Sequence, residues 1–117
     1  MKIFVANTDT TWYQFLAQHN ETAEVNFWRP HGRYAAFRAI APGELFFFRL
    51  RRPFSKIVGF GTLAHHSVLP LLMAWETFGQ ANGCATLSEL VELIAKHRNE
   101  PADRRAALAW DIGCTIL

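Results

Sequence analysis

Asn7, Thr8 and Asp9 stand just ahead of Trp12, Tyr13 and Phe15, and Asn26 stands just ahead of Phe27, Trp28 and Arg29. Each cluster sets short polar side chains beside large aromatics. An Asn amide offers a donor and an acceptor side by side, which suits the edge of a heterocycle. An aromatic face suits the plane of the same ring, and an extruded nucleic-acid base is held by that combination. The chemistry implied is recognition of a flat polar ring, with Asn7 and Asn26 at its edge. Core packing explains Trp12 as well, because Trp12, Phe15 and Leu16 recur at helical spacing. Trp28 is harder to assign to a core, since Phe27 and Trp28 point to opposite sides of a strand.

Other chemistries find less support. Glu89 and Glu92 lie on one solvated helix face, and Asp9 is better explained as a helix cap than as half of an acid–base pair. His65 and His66 are adjacent and diverge on a strand, while His19, His31 and His97 are scattered. Neither a metal site nor an activated nucleophile is expected, and no cofactor. Gly59-Phe60-Gly61 sits inside a strand pattern, not at the strand-to-helix turn that a nucleotide loop requires. Cys84 and Cys114 lack paired spacing, so two idle thiols in a reducing cytoplasm are expected.

The chain has 117 residues, enough for one domain and too few for two. Half the residues are hydrophobic and 19% are charged, which is globular composition. The net charge of +2 neither demands nor excludes a nucleic-acid partner. Its distribution says more. Arg49, Arg51, Arg52 and Lys56 crowd one segment, suited equally to a solvated rim and to phosphate contact, while Arg29, Arg33 and Arg38 crowd another. No apolar run approaches the ~20 residues that span a bilayer, so no membrane is expected.

The elements that must position these residues follow from periodicity and punctuation. Lys2 to Ala6 predicts a strand, and Thr8 or Asp9 caps a helix ending near Asn20. Ala23 to Trp28 predicts a second strand, stopped by Pro30 and Gly32. Tyr34 to Ile40 predicts a short extended piece. Glu44 to Arg52 predicts a strand buried early and basic late, and Lys56 to Leu63 one whose Gly59 and Gly61 share a face, marking a bend, a bulge or the close approach of another group. Leu69 to Phe78 predicts a helix. Thr86 and Glu89 form a capping box for another over Leu87 to His97. Asn99 to Arg105 reads as a connector and Asp111 to Leu117 as a closing strand. The sum is an α+β domain, a small mixed β-barrel of about five or six strands with about three peripheral helices.

Several segments in order carry a resemblance: Val5-Ala6-Asn7-Thr8-Asp9, Trp12 to Leu16, Glu24 to Pro30, Phe37 to Glu44, Lys56 to Gly61, His66 to Pro70, Ala74 to Gly79, Asn82-Gly83 and Ile112 to Leu117. Together they resemble the N-terminal PUA-like domain, related to the EVE and SRA domains, of prokaryotic HNH restriction endonucleases that act on modified DNA. That resemblance implies a PUA-like barrel that flips a modified cytosine of double-stranded DNA, 5-methyl or 5-hydroxymethyl, into an aromatic pocket. It makes Trp12 and Trp28, with Tyr13 beside them, the pocket walls, and Asn7, Asp9 and Asn26 its edge-readers. Arg29, Arg33, Arg38, Arg49, Arg51 and Arg52 become phosphate contacts. The family's next strand, its linker and its HNH domain do not appear here, so no nuclease activity is expected of this chain. The missing strand implies an exposed sheet edge open to dimerisation or strand swapping. RNA recognition and a small-ligand or structural role stand as the alternatives, and phosphorothioate DNA as another ligand of such readers.

Overall fold

The computed structural model describes residues 2–19, 24–32 and 39–117. Among the described residues six strands and four α-helices follow one another as β1 (Ile3–Thr8), α1 (Thr10–His19), β2 (Asn26–Arg29), β3 (Leu45–Leu50), β4 (Ile57–Thr62), β5 (His65–Pro70), α2 (Leu71–Phe78), α3 (Leu87–Arg98), α4 (Arg104–Ala107) and β6 (Asp111–Ile116). A short 3-10 turn, Gly79–Asn82, links α2 to the approach of α3. Arg33, Arg38 and most of the extended piece expected over 34–40 lie outside the described residues.

The strands form two three-stranded sheets, ordered β1-β3-β4 and β2-β6-β5. β1 runs parallel to β3; the other pairings are antiparallel. The expected α+β class holds, but among the described residues the sheets do not close into a barrel. They meet instead at a corner. Leu63 exchanges backbone hydrogen bonds with Gly43 and Glu44, which lead into β3 of the first sheet, and the Ala64 N–H donates to the Ile116 carbonyl of the second. One extended run, β4 into β5, thereby changes sheet within two residues. β6 is the central strand of its sheet, flanked by β2 and β5, and Ile112 to Ile116 are all buried.

Alternation explains the packing. Ala6, Thr8, Phe46, Phe48 and Leu50 point inward from the first sheet. Gly61 and Gly59 stand opposite Phe46 and Phe48, and a Cβ on Gly61 would approach the Leu117 Cβ at 3.1 Å. The glycine face read from the sequence is therefore space for a neighbour. Phe27 projects from β2 toward the first sheet, with ring centroids 5.0 Å from Phe46 and 6.0 Å from Phe48. Asn26 and Trp28 project from the other side toward the helices. α3 buries Leu90, Val91, Ile94 and Ala95. The Thr86 hydroxyl accepts from the Glu89 N–H and the Glu89 carboxylate accepts from the Ala85 N–H, closing the N-terminus of that helix.

Candidate functional site

β1, β2 and β3 end on the same side of the molecule, where α1 begins and α3 finishes. Between them lies a cleft of about 170 Å³. Asn7, Asp9, Trp12, Phe27, Trp28, Arg29, Pro30, Arg51 and His97 line it. The structure thus brings together six of the residues singled out from the sequence, from both polar-aromatic clusters and one basic segment.

The tryptophans supply surface rather than polar contacts. Trp12 is 4% exposed, and its indole N–H donates to the Asn26 carbonyl at 3.2 Å. Its ring packs edge-on to Phe27 at 5.4 Å and against Phe48 at 5.3 Å. Trp28 is 9% exposed, donates to the Asn82 carbonyl at 2.8 Å, and meets the His97 ring edge-on at 5.6 Å. With both N–H groups committed to buried carbonyls, the indoles are fixed in place. They belong to the core and wall the cleft at once.

Asn82 and Gly83 hold these walls. The Asn82 side chain accepts from the Asn26 amide at 2.8 Å and donates to the Ala74 and Gly79 carbonyls. Gly83, at φ +92°, lies against the Trp12 ring so closely that a Cβ there would sit 2.1 Å from Cδ1. Asn26 is wholly buried in this network and does not line the cleft. The expectation that it reads a ring edge is corrected: its strand parity carries it inward with Trp28, toward Asn82. Tyr13 also stays off the cleft, half-buried on α1 against the core.

Asp9 is at the cleft with both oxygens engaged. Oδ1 accepts from the Trp12 N–H at 3.0 Å, capping α1, and Oδ2 pairs with His97 Nε2 at 3.1 Å. That second contact ties the start of α1 to the end of α3. Asn7 is exposed at the mouth, and its amide makes no side-chain hydrogen bond among the described residues. Arg29 is partly buried, and burial pulls its pKa below the ordinary arginine value without discharging it near neutrality. Pro30 is steadied by Arg98, whose guanidinium donates to the Pro30 carbonyl at 2.9 Å and lies 4.4 Å from the centre of the Trp110 ring.

Arg51 connects the cleft to a polar recess of about 330 Å³ shared with Asn7, Arg49, Leu50, Arg52 and Ser55. Arg49, Arg51 and Arg52 therefore gather at the cleft's flank. His97, Phe27 and Pro30 were missed as lining residues. Asn82-Gly83 is a dipeptide of turn type, and nothing local marks it as the support of two indoles. The two thiols are buried. Among the described residues no three His, Cys, Asp or Glu side chains gather as a metal site would need, and no helix is long and apolar enough to cross a membrane. The arrangement can hold a flat ring between fixed apolar walls, with polar and cationic groups at its rim. Comparison with protein-family models, curated proteins and solved structures gives no match.

Proposed function

We propose that this domain reads double-stranded DNA by accepting a flipped, modified cytosine, 5-methyl or 5-hydroxymethyl, into the cleft between Trp12, Phe27 and Trp28. In this proposal the two sheets joined at Leu63-Ala64 are an open relative of the PUA-like barrel, and the domain is the sensor of a modification-dependent HNH endonuclease whose cutting domain is separate. The carrying observation is the cleft itself. Its volume, about 170 Å³, is near the ~150 Å³ of a cavity that takes up benzene, so one six-membered ring fits. Asn7 sits at the mouth to meet a ring edge, and Arg29 and Arg51 sit where the attached phosphates would run. Arginines then supply sequence-independent affinity while the cleft supplies selectivity.

The test is fluorescence anisotropy on matched duplexes carrying cytosine, 5-methylcytosine or 5-hydroxymethylcytosine at one site, with an RNA duplex of the same sequence as competitor. Tighter binding of a modified duplex is expected. Asn7→Ala should remove any excess affinity for 5-hydroxymethylcytosine over 5-methylcytosine, and Arg51→Ala should weaken all duplexes alike. Both side chains are exposed, so neither change threatens the fold. Equal affinity for every DNA duplex would overturn the proposal, and a preference for the RNA competitor would redirect it to RNA.

A further inference from the structure

Among the described residues nothing packs over the side of the first sheet that faces away from the cleft walls. Ile3, Val5 and Asn7 of β1, Phe47 and Arg49 of β3, and Phe60 and Ile57 of β4 project from it in register. Phe60 is 66% exposed, Ile3 56%, Ile57 54% and Val5 47%. Phe47 and Phe60 are cross-strand partners with ring centroids 5.8 Å apart. A contiguous apolar patch on a sheet face marks a binding surface.

Charge decides what it binds. Between Leu45 and Leu63 the chain carries Arg49, Arg51, Arg52 and Lys56 and not one carboxylate. Arg49 lies on the same face as Phe47, one alternation further along β3, and Arg52 shares the polar recess with it. Exposed aromatic rings bordered by unopposed cations are how single strands are bound without sequence preference: bases stack on the rings while the backbone follows the charge. A second copy of the chain would bring equal positive charge, whereas a nucleic-acid backbone brings a run of the opposite charge.

We infer that this sheet face is a stacking platform for single-stranded nucleic acid, with Phe60 and Phe47 as the stacking rings and Arg49 and Arg52 contacting phosphate. It adjoins the cleft at Asn7, which stands at the end of the face and at the cleft mouth, and at Arg51, which lines both the cleft and the recess that holds Arg49 and Arg52. A strand leaving a duplex at the cleft would find the platform next to it, yet the platform does not depend on a base entering the cleft.

The experiment uses single-stranded oligo-dT of about a dozen nucleotides, and its readout is the dependence on Phe60, which lies outside the cleft lining, so its outcome is separable from that of the cleft proposal. Saturable binding at low salt is expected. Phe60→Ala should weaken it roughly 5- to 150-fold, the range that loss of one stacked base corresponds to. Phe60→Tyr should keep most of the affinity, because a phenol stacks as a phenyl does. Met73→Ala, which removes an equally exposed apolar side chain from α2 (49% exposed), should change nothing. Arg52→Gln should flatten the dependence of log Kd on log salt by about 0.7. Circular dichroism of each variant checks the fold. Absence of oligo-dT binding, or binding indifferent to Phe60, overturns the inference. So does a dimer by light scattering that Phe60→Ala dissolves while oligo-dT binding is missing, which would assign the face to a second copy.

Discussion

Replacing Gly83 by Ala tests the support of the cleft directly. Two costs are separable. The backbone at Gly83 has φ +92°, where an L-residue is disfavoured by ~1–2 kcal/mol. The new methyl would also sit 2.1 Å from Trp12 Cδ1 and 2.7 Å from Cγ and Nε1, against an ordinary contact of 3.4 Å or more. The indole must retreat by more than an ångström into a core already filled by Phe27 and Phe48, which costs ~1–3 kcal/mol as overpacking. The Nε1 to Asn26 bond, now 3.2 Å, is lost with that retreat at ~1 kcal/mol. Together the loss is about 3–6 kcal/mol, a large share of the 5–15 kcal/mol by which domains are stable. Gly43→Ala is the matched control, since Gly43 has φ +88° and nothing within 4 Å of a Cβ; it should lose only the backbone part. Urea unfolding followed by circular dichroism and tryptophan fluorescence measures both. A double variant, Gly83→Ala with Trp12→Leu, should recover at least ~1 kcal/mol relative to additivity, because the two changes share one contact. A Gly83→Ala loss no larger than that of Gly43→Ala would refute the seating of Trp12 and with it the fixed wall.

Two further outcomes follow from buried polar groups. Asn82→Ala removes the acceptor of the Asn26 amide and the donor to Ala74 and Gly79, so denaturation should show a loss of ~2–4 kcal/mol, and a loss under 1 kcal/mol would deny it the supporting role. Burial, helped by the Glu89 charge, pushes the Cys84 thiol up from 9.0 to about 12. The unfolded thiol ionises first, so this group's stabilisation is complete below pH 9 and declines as pH rises from there toward 12; alkylation at pH 8 should be slow in the native protein and accelerate in urea, and rapid native labelling of Cys84 would contradict its burial.

Features carried by local chemistry were readable in the sequence. Thr86 and Glu89 cap α3, Asp9 caps α1, Trp12 and Leu16 share a buried helix face, and Gly61 leaves room for Leu117. What escaped was direction. Alternation places Asn26 and Trp28 on one side of β2, but with both sides of that sheet covered, parity cannot tell a cleft from a core. The helices on the Asn26 side come from residues 71 to 98, and Asn82 reaches Asn26 across 56 positions. His97 reaches Asp9 across 88 positions, a pairing that no local pattern announces. Among the described residues the strands stay in two sheets rather than the closed barrel expected: the chain passes from one sheet to the other at Leu63-Ala64, and neither residue is a bend signal.

The fixed walls also limit how selective the proposed reader can be. Both indole N–H groups are committed to backbone carbonyls and both Asp9 oxygens have partners, so most of the polar capacity around the cleft was used in building it. A rigid apolar slot needs little reorganisation on binding, but it distinguishes cytosine from 5-methylcytosine mainly by burying one methyl. That contribution is ~0.8 kcal/mol, about a fourfold preference. A 5-hydroxymethyl group gains more only if its hydroxyl finds an acceptor, and among the edge-readers inferred from the sequence Asn7 alone is exposed with its amide oxygen uncommitted. Asn7→Ala should therefore leave the methyl preference near fourfold and remove any excess for hydroxymethylcytosine. A methyl preference of a hundredfold or more would require walls that move onto the base, contrary to indoles tied to Asn26 and Asn82.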